Sequence, residues 1–588
     1  MRLLWETSRP LSVAVALFTI ASAVLPNVVL VAAGRLVGTI PAATEHGLSS
    51  SAGDRLFGAL AITGAAYAAA LLLGPVQSAL SSVVKWRIVY TTQDRLITAV
   101  SGPPGITHLE DPKVLDDLAL AQGQMVNQWT GDAPMTLALV ISNRASGLIA
   151  CGVLASFRWW LGLGMLVMWI IVRRPQLRLI RQQGALYAGS SELMRRAWYL
   201  RGLGAMPDVA KESRVFGLGG WLVERYRGQA LLGLREPWAC LRRLDRTVLL
   251  LALVVLGAYG LACGYLGYAG YHREITLGTL AVMLPMLVAT VTFGDISLDD
   301  VALAWMLQGV PRTAKLEAEL APSTSVLTGL LSARDLPTRE VRFEHVAFSY
   351  PSATGGVFDD LELTLPAGRS TALVGINGAG KTTLVKLLAR LHDPDAGRVL
   401  VDGIELTRLD ASSWQRQVAV VFQDFAHYPL TLRENIGWGA PSHLDDVEGL
   451  EASAARAGVA LDAGWDTVLS RSYEGGVELS GGQWQRIALA RALFAVRHGA
   501  RILVLDEPTA WLDARGEADF FDRFLEITEG TTSLIISHRF STVRRADHIC
   551  VLESGKVVEQ GGHEGLVAAG KHYARLFRLQ AARYEDPA

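Results

Sequence analysis

Charged residues and cysteines are scarce in this chain of 588 residues. Only 19% of its residues are Asp, Glu, Lys or Arg, and the formal net charge is −1. A chain this close to neutral has no overall attraction for nucleic acid or for acidic surfaces. The four cysteines stand far apart in the sequence, which therefore predicts neither a disulfide framework nor a zinc site.

Hydrophobic residues make up 50% of the chain, and the mean hydropathy is +0.28. A soluble enzyme of this length is usually more polar, so membrane-spanning helices are expected. The apolar stretch from residue 11 to about 31 is too long for a signal peptide and is expected to be a retained first helix. Six spans are predicted, near residues 11–34, 57–82, 134–156, 159–172, 247–270 and 276–296.

Basic residues set the predicted orientation. The segment 173–246 contains fifteen Lys or Arg and only six acidic residues, and the segment 83–133 is also basic. Loops with this bias stay in the cytoplasm. An even number of spans then predicts a multi-pass protein of the cell membrane with both termini in the cytoplasm.

Both predicted cytoplasmic segments are too long for simple loops and are expected to be helices that continue out of the membrane. The Asp111-Pro112 step predicts a helix start. Amphipathic pieces near 106–120 and 205–218 occur once per cytoplasmic hairpin. This position favours docking onto a following domain, and a solvated packing helix is the alternative.

Beyond residue 320 the sequence changes to short apolar strands alternating with helices. Residues 375–382 (Gly-Ile-Asn-Gly-Ala-Gly-Lys-Thr) follow one such strand and precede a helical segment. In this context a glycine-rich loop turns its backbone N–H groups towards phosphates. Lys381 is then expected to reach the phosphates, and Thr382 to offer its hydroxyl to Mg²⁺.

Several other apolar strands end in polar residues that suit nucleotide hydrolysis. Asp506 and Glu507 end one strand, and we expect Asp506 to hold Mg²⁺ and Glu507 to act as general base towards water. His538 ends another strand, where contact with a γ-phosphate is plausible. Gln423 ends a third strand and is a candidate ligand for Mg²⁺ or water.

Two further features complete the candidate site. Tyr350 precedes the glycine loop, where an aromatic ring can stack on adenine, although a core residue of a β-rich region is an equal alternative. Ser480, in the turn Leu479-Ser-Gly-Gly-Gln483, is expected to cap the following helix and to leave N–H groups for an anion. Within one chain, nothing obviously brings this turn to Lys381.

Taken in order, these motifs together with Leu512-Asp513 resemble the full motif set of an ABC transporter ATPase domain. The six spans ahead of it resemble the membrane domain of an exporter-type half-transporter. The fold class expected is an α-helical membrane domain with long cytoplasmic extensions, followed by an α/β P-loop ABC ATPase domain. The expected boundaries are 1–320 for the membrane domain, 321–338 for a linker, 339–580 for the ATPase domain and 581–588 for a tail.

The resemblance implies further properties. Two ATPase domains pair head to tail, so that each ATP is held between the glycine loop of one and the 480–483 turn of the other; the partner is a second half-transporter, identical or different. The pieces near 106–120 and 205–218 resemble coupling helices, and Glu474 matches an acidic residue that meets them. Trp511 departs from the small residue common at its position. The implied ATP-binding residues are Tyr350, Gly375, Asn377, Gly378, Ala379, Gly380, Lys381, Thr382, Thr383, Gln423, Ser480, Gly481, Gly482 and Gln483.

Acidic residues at the end of the last span suggest a substrate contact. Asp295 and Asp299 are four residues apart and would share one helix face. We expect them to line the inner part of a cavity that favours a cationic substrate. The alternative is a solvated or salt-bridged helix just below the membrane. Asn143 and Arg144 are a second polar spot in the third span, where a packing role is the alternative.

Three functions are compatible with this sequence. The first is ATP-driven export of a small amphipathic molecule, a lipid or a peptide, by a dimer in contact with membrane lipid. The second is import of a metal chelate by the same fold, and the third is an ATP-gated channel or sensor without transport. A nucleic-acid-repair ATPase is excluded by the membrane spans, and no nucleic-acid partner is expected.

Overall fold

A computed structural model gives the fold of the chain. It describes residues 4–5, 8–121, 129–189, 191–242, 245–306, 309–320, 330–351, 355–460, 463–507, 530–537, 539 and 543–585. The chain divides into two compact units. The helical unit contains residues 1–98 and 116–319, and the α/β unit contains residues 99–115 and 320–588.

The helical unit consists of long helices with short connections. Five helical segments of the described residues are long and apolar enough to cross a membrane by length and composition, namely Arg9–His46, Ser51–Ser101, Ala133–Phe157, Leu249–Tyr271 and Leu277–Ala304. The helices of this unit are Arg9–His46, Ser51–Ser101, Pro112–Ala121, Ala133–Phe157, Trp159–Gly189, Ser191–Ala205, Pro207–Val215, Gly219–Arg242, Asp245–Tyr271, Leu277–Ala289, Val291–Gly294, Leu298–Met306 and Gly309–Leu320.

The fourth predicted span, 159–172, is part of helix Trp159–Gly189. Its apolar stretch is short because basic residues start at Arg173. Helix Pro112–Ala121 begins at the Asp-Pro step, as predicted, and Asp111 Oδ1 accepts a hydrogen bond from Lys113 N at 2.8 Å. Proline fits this position because the first helical N–H has no partner in the helix.

The last predicted span is interrupted. Helix Leu277–Ala289 is followed by the short helix Val291–Gly294, and Asp295 is extended with φ −65° and ψ 143°. The next helix starts only at Leu298. The expectation that Asp295 and Asp299 share one helix face is therefore wrong, because the backbone between them is not helical.

Arg144 supplies hydrogen-bond donors at this interruption. Its Nη1 lies 2.9 Å from Phe293 O and 2.7 Å from Asp295 O. Arg144 also forms an ion pair with Asp300, whose side chain is only 7% exposed. Backbone carbonyls that a broken membrane helix releases need such partners, since the bilayer core provides none.

Close helix crossings in this unit depend on glycine. A Cβ at Gly147 would lie 2.4 Å from Phe293 N, and one at Gly34 would lie 2.3 Å from a methyl group of Val282. Both separations are shorter than van der Waals contact. Small residues at these two positions let the neighbouring backbones approach, as is common between membrane helices.

The α/β unit contains ten strands among its described residues, named here in chain order. They are β1 (Glu340–Phe348), β2 (Phe358–Pro366), β3 (Ser370–Val374), β4 (Ala396–Val401), β5 (Ile404–Glu405), β6 (Val418–Val421), β7 (Ile502–Asp506), β8 (Thr532–Ile536), β9 (His548–Glu553) and β10 (Lys556–Gly561). One sheet is antiparallel with the order β2-β1-β4-β5. The other has the order β10-β9-β3-β8-β7-β6, and its strands are parallel except for β10.

Helices pack around the parallel sheet. They are Lys381–Leu388, Ala411–Gln415, Leu432–Gly437, Val447–Arg456, Gly481–Arg497, His563–Ala569 and His572–Glu585, preceded by the short helix Thr107–Glu110. All five residues of β7 and of β8 are buried. Strands covered on both faces are continuous apolar runs, which explains why the sequence shows no alternation there.

We predict that Gly147→Ala destabilises the helical unit by about 1–3 kcal/mol, the usual cost of overpacking. The added methyl group has to displace the backbone of Phe293. The measurement is the thermal unfolding midpoint of the purified chain in detergent. Gly152→Ala on the same helix is the matched control, because its Cβ would meet no atom within 4 Å. Equal midpoints for the two variants would contradict this packing.

Candidate functional site

The carboxyl ends of four parallel strands bring the predicted site residues to one edge of the sheet. Asp506 of β7 lies opposite Ile536 of β8, and Leu373 of β3 lies opposite the same residue. Val421 of β6 lies opposite Leu505. The segments that follow these strands therefore start next to each other, where parallel sheets bind their ligands.

The loop after β3 has the backbone of a phosphate cradle. Gly378 and Gly380 have φ values of +83° and +102°, which residues with a Cβ rarely adopt. A Cβ at Gly375 would also lie 2.4 Å from Leu552 O. These constraints leave the N–H groups of the loop near the start of helix Lys381–Leu388, where partial positive charge favours an anion. The remaining predicted members, Asn377, Ala379 and Thr383, belong to the same loop and first turn.

Lys381 folds back onto this loop. Its Nζ donates hydrogen bonds to Gly375 O at 2.9 Å and to Ile376 O at 3.0 Å. Its pKa is lowered, because burial disfavours the charged form more than the nearby carboxylates of Glu507 and Asp506 favour it. The Lys381 side chain is thus held beside the glycine loop, and the surrounding protein groups compensate its positive charge only in part.

Asp506 is the buried carboxylate of the site. It is 2% exposed, and its Oδ2 accepts a hydrogen bond from Thr382 Oγ1 at 2.9 Å. Burial raises the pKa of Asp506 against the opposing hydrogen bond from Thr382. A cation next to this carboxylate would restore its preference for the ionised form.

Glu507 is held in an unusual backbone conformation. Its φ is +51°, and its N–H donates to Ile536 O at 2.9 Å. Gln423 Nε2 donates a hydrogen bond to Glu507 Oε2 at 3.1 Å. The structure thus brings two predicted residues from different strands together. A left-handed conformation in a residue with a Cβ is strained and is typical of functional sites.

The residues predicted to hold Mg²⁺ fit that ion chemically. Asp506 provides a carboxylate, Thr382 a hydroxyl in contact with it, and Gln423 an amide oxygen that is left free when its Nε2 donates to Glu507. Oxygen ligands of this kind, completed by water and phosphate, are what Mg²⁺ prefers.

Tyr350 lies beside the glycine loop. Its hydroxyl is 3.2 Å from Thr383 Oγ1, and the Nζ of Lys386 lies 5.0 Å from its ring centroid. Phe348 and His392 contact the ring edge-on at 5.1 and 5.6 Å between centroids. The tyrosine is half-buried, so the position suits adenine stacking while its inner side packs on the domain.

Ser480 caps helix Gly481–Arg497 in a reciprocal arrangement, as predicted. Its Oγ accepts from Gln483 N, and Gln483 Oε1 accepts from Ser480 N at 2.8 Å. Among the described residues, no hydrogen bond or ion pair joins this turn to the 375–382 loop. The turn, with Gly481 and Gly482, is therefore a separate candidate surface on the same unit. Glu474, eight residues before Gly482, is exposed.

Several predicted positions lie outside the described residues. They are His538, Trp511, Leu512 and Asp513. The roles assigned to them from the motif resemblance stay predictions.

The segment 99–115 belongs to the α/β unit and packs against the rest of it. Ile106 N donates to Leu391 O at 2.9 Å, and Gln415 Nε2 donates to Pro104 O at 2.7 Å. A Cβ at Gly105 would lie 2.9 Å from Leu391 O, so this approach needs glycine. The docking predicted for the first amphipathic piece is present at its amino-terminal part.

Glu110 is the charged anchor of this docked segment, and no sequence pattern predicted its partners. Its Oε1 lies 3.1 Å from Lys386 Nζ, and its Oε2 lies 3.3 Å from His392 Nε2. Thr107 Oγ1 bonds the other ring nitrogen of His392 at 3.0 Å. Burial lowers the pKa of His392 although Glu110 opposes the shift. No local pattern could have indicated this contact, since Lys386 lies in an ordinary helix and His392 in the turn that follows it.

The second piece, near 205–218, contains helix Pro207–Val215 in the helical unit. Val215 is 81% exposed and Phe216 is 69% exposed. Two large apolar side chains at the end of a helix are available for a contact, and the predicted docking stays a prediction.

His427 is a residue that sequence reasoning missed. Its ring stacks on Trp484 with 4.7 Å between centroids and 7° between planes. Burial lowers its pKa, with Glu478 opposing the shift. The stack joins the segment after Gln423 to the helix capped by Ser480, so two motifs that are distant in sequence are packed as one piece.

Asp295 and Asp299 do not converge in the structure as a pair on one helix. Asp295 is exposed and Asp299 is half-buried, and their role in a substrate cavity stays a prediction. The neighbouring Asp300 forms the buried ion pair with Arg144, and Arg173 Nη2 lies 3.9 Å from its other oxygen. A salt bridge, the alternative considered for Asp295 and Asp299, is thus formed by Asp300 instead.

Comparison with known proteins gives a family match for part of the α/β unit. The profile of the family described as "ABC transporter" matches residues 358–510. Residues 358–510 are therefore similar to the ATPase domain of ABC transporters, and the resemblance recognised from the motifs is confirmed over this segment. This similarity implies that the site binds ATP.

Individual relatives and a solved structure agree with this class. An "ATP-dependent lipid A-core flippase" of Methylococcus capsulatus is 37% identical over 313 residues, which are 50% of this chain and 50% of the relative. The "ABC transporter B family member 19" of Arabidopsis thaliana is 40% identical over 245 residues, 41% of this chain and 19% of the relative. The chain thus spans at most about half the length of these relatives in the matched region.

The whole-chain fold is matched by a solved structure described as "Structure of a bacterial Atm1-family ABC exporter with ATP bound". The TM-score is 0.74 at 21% identity, and the match covers 97% of this chain and 99% of the other. At that identity the likeness shows the fold alone, which is a helical domain followed by an α/β domain. The predicted fold class is confirmed.

We predict that Asp506→Asn keeps the nucleotide-free chain as stable as the parent or makes it more stable, because a buried carboxylate with a raised pKa is removed. The variant should lose the added stability given by Mg·ATP, about 2.7 kcal/mol at a hundredfold excess over Kd. Thermal unfolding with and without Mg·ATP measures both effects. Asp424→Asn, an exposed neighbour, is the control and should keep the nucleotide effect.

The same buried carboxylate sets a pH dependence. Its folded pKa is raised above the unfolded value, so its contribution favours the folded state at low pH and declines as pH rises through the folded pKa. The stability gained by Asp506→Asn should therefore grow from acidic to neutral pH. A gain that shrinks over that interval would contradict the assignment.

Proposed function

We propose that this chain is one half of an ATP-driven exporter that moves a small amphipathic molecule, a lipid or a peptide across the cell membrane. Its partner is a second half-transporter, either a copy of this chain or a related one. The observation that carries the proposal is the docking of residues 99–115, which continue helix Ser51–Ser101, onto the domain that binds ATP.

The chemistry proposed for the site follows from its side chains. Glu507 accepts the proton of the attacking water, and Gln423 holds this carboxylate by the 3.1 Å hydrogen bond. Lys381 exchanges its bonds to loop carbonyls for bonds to the phosphates. Mg²⁺, when bound by Thr382, Gln423 and Asp506, would neutralise charge on the phosphates. His538 is proposed to contact the γ-phosphate.

A second chain is proposed to complete each site. The capped turn at Ser480 is exposed and has no described bond to the glycine loop of its own unit. Its N–H groups and the adjoining helix start suit a phosphate. Two half-transporters that face each other head to tail would place the turn of one on the loop of the other.

Coupling to the membrane is proposed to run through Glu110. Its two oxygens face Lys386 and His392, and both of these residues contact Tyr350, the proposed adenine platform. A shift of helix Lys381–Leu388 when phosphate binds would therefore act directly on the docked segment. The second piece, Pro207–Val215, is proposed to dock in a similar way.

The proposed substrate class and orientation rest on the helical unit and the relatives. Flippases of lipid A-core among the relatives support a lipid-like substrate. The basic segments 83–133 and 173–246 support cytoplasmic placement of both termini and of the ATPase domain. The descriptions of the relatives and of the matched structure give no support to the importer or to the channel.

We predict that Glu507→Gln reduces ATP turnover by at least about 10²-fold, within the range that a general base contributes. ATP binding should persist, because the carboxamide keeps the shape and a hydrogen bond to Gln423. Phosphate release and retained radiolabelled ATP measure the two properties. Glu451→Gln, on the exposed face of helix Val447–Arg456, is the control. Parental turnover in the Glu507 variant would refute the assignment.

We predict that Glu110→Gln loosens the docked segment. The charge-assisted bonds to Lys386 and His392 are weakened, by about 1 kcal/mol after allowance for their partial exposure. Backbone hydrogen exchange of residues 102–110, measured by mass spectrometry, should accelerate severalfold while exchange in β3 and β7 stays unchanged. Lys113→Gln, one turn away and exposed, should leave exchange as in the parent. Unchanged exchange in both variants would argue against Glu110 as anchor.

A further inference from the structure

The segment that carries Gln423 has no regular secondary structure to hold it in place. Strand β6 ends at Val421, and residues 422–430 form neither helix nor strand. Both Gln423 and the following Asp424 are exposed. The hydrogen bond from Gln423 Nε2 to Glu507 therefore depends on side-chain contacts that fix the segment further along the chain.

Two aromatic rings of this segment make such contacts. His427 stacks on Trp484 with 4.7 Å between the ring centroids and 7° between the ring planes. Phe425 contacts His427 at 5.4 Å between centroids, and it packs against the apolar cluster to which Trp484 belongs. Offset stacking at such distances is a favoured geometry for aromatic pairs. The two rings thus hold the segment within four residues of Gln423.

Trp484 is the fixed partner in this stack. It is 4% exposed and lies in helix Gly481–Arg497, where its N–H donates to Ser480 O at 3.0 Å. A buried side chain on a helix is held in place by close packing. The imidazole of His427 is exposed, so the stack rather than burial sets its position. The segment that carries Gln423 is thus attached to the helix that Ser480 caps.

A packing role of His427 alone would have only local consequences. If the ring merely covered Trp484, its loss would lower the stability of the helix and leave the chemistry of each folded molecule unchanged. If the ring positions Gln423, its loss reaches Glu507, because the two side chains share the 3.1 Å hydrogen bond. Among the described residues this is the only hydrogen bond of the Gln423 side chain. The amide therefore moves with the segment, and the stack controls the segment.

We propose that His427 is a positioning residue for ATP hydrolysis, which holds the Gln423 amide against Glu507 by stacking on Trp484. This role rests on the proposed function, in which Glu507 is the general base. His427 takes no proton itself and acts only through Gln423. The stack keeps the carboxylate in the orientation that accepts the proton of water. Its loss leaves Lys381 and the glycine loop intact, so turnover slows while ATP binding persists.

The first test is the rate of ATP turnover by the full chain in lipid nanodiscs. His427→Ala should lower kcat by about two- to tenfold, the range into which the usual stacking energy of an aromatic pair converts at about 1.4 kcal/mol per factor of ten. KM for ATP should stay within about twofold of the parent. His427→Phe keeps a stacking ring and should restore kcat. His427→Leu provides an apolar side chain without a ring and should behave like His427→Ala.

The chain offers a matched control at the other end of the same helix. His443 is exposed and stacks on His498, which directly follows helix Gly481–Arg497, with 4.1 Å between centroids and 22° between planes. His443→Ala removes a stacked imidazole far from Gln423 in sequence and should keep the parental kcat. Equal losses of kcat in His427→Ala and His443→Ala would overturn the proposal, because the stability of the helix would then set the rate.

A double-mutant cycle tests whether His427 acts through Gln423. His427→Ala should lower kcat in the parental chain and have no further effect in a chain that already carries Gln423→Ala, because the amide that it positions is gone. A residue that only stabilises the fold would lower kcat by the same factor in both chains. That second result would overturn the proposal.

Turnover is expressed per chain that retains radiolabelled ATP, so that unfolded molecules do not lower kcat. If His427→Ala fails to bind ATP, the folded His427→Leu variant gives the same comparison. Parental kcat in the folded variant, together with lost turnover in Glu507→Gln, would overturn the role of His427 and leave the proposed function standing. Parental turnover in Glu507→Gln would instead refute the proposed general base and the role of His427 with it.

Discussion

Parallel pairing of β3, β8, β7 and β6 is the constraint on which the ATP site depends. The register sets Leu373 and Asp506 opposite the same residue of β8, so the glycine loop after β3 and the carboxylates at the end of β7, which are distant in sequence, meet at one edge. The buried, continuous apolar strands hold this register because a shift by one residue would move polar strand ends into the core. The strained positive φ of Glu507 is tolerated because the paired strands fix the backbone around it.

Side chains of the site form hydrogen bonds with the loop backbone and with each other. Lys381 bonds two carbonyls of its own loop, and Thr382 bonds Asp506. In the proposed function, Lys381 exchanges its bonds for bonds to the phosphates, so phosphate binding would change the contacts at the start of helix Lys381–Leu388. The same helix carries Lys386, one partner of Glu110 in the docked segment. The proposed phosphate contacts and the docked segment therefore meet on one helix of about two turns, through which the proposed coupling would act.

Sequence reasoning predicted most where one local pattern indicates both the backbone conformation and the chemistry of a residue. Gly378, Lys381, Asp506 and Ser480 stand in local patterns that specify both a turn or strand end and a function, and the helix start at Pro112 is of the same kind. It failed where a result depends on distant packing: the stack of His427 on Trp484 and the pairing of Glu110 with His392 leave no local pattern. The break after Gly294 was not predicted because the stretch around it is apolar and compatible with a helix. The broken backbone is stabilised by Arg144, which belongs to another helix.

The helical unit treats its polar groups in two different ways. Arg144 bonds backbone carbonyls at the helix break through Nη1 and pairs with Asp300, while its buried Nε has no hydrogen-bond partner. Its charge is compensated by Asp300, as a buried charge requires. Asn27 joins the first helix to helix Ala133–Phe157 by donating to Ser146, while its Oδ1 has no partner. Both residues thus hold two helices together, one by a charge and one by a neutral amide, although each leaves one buried polar atom unpaired.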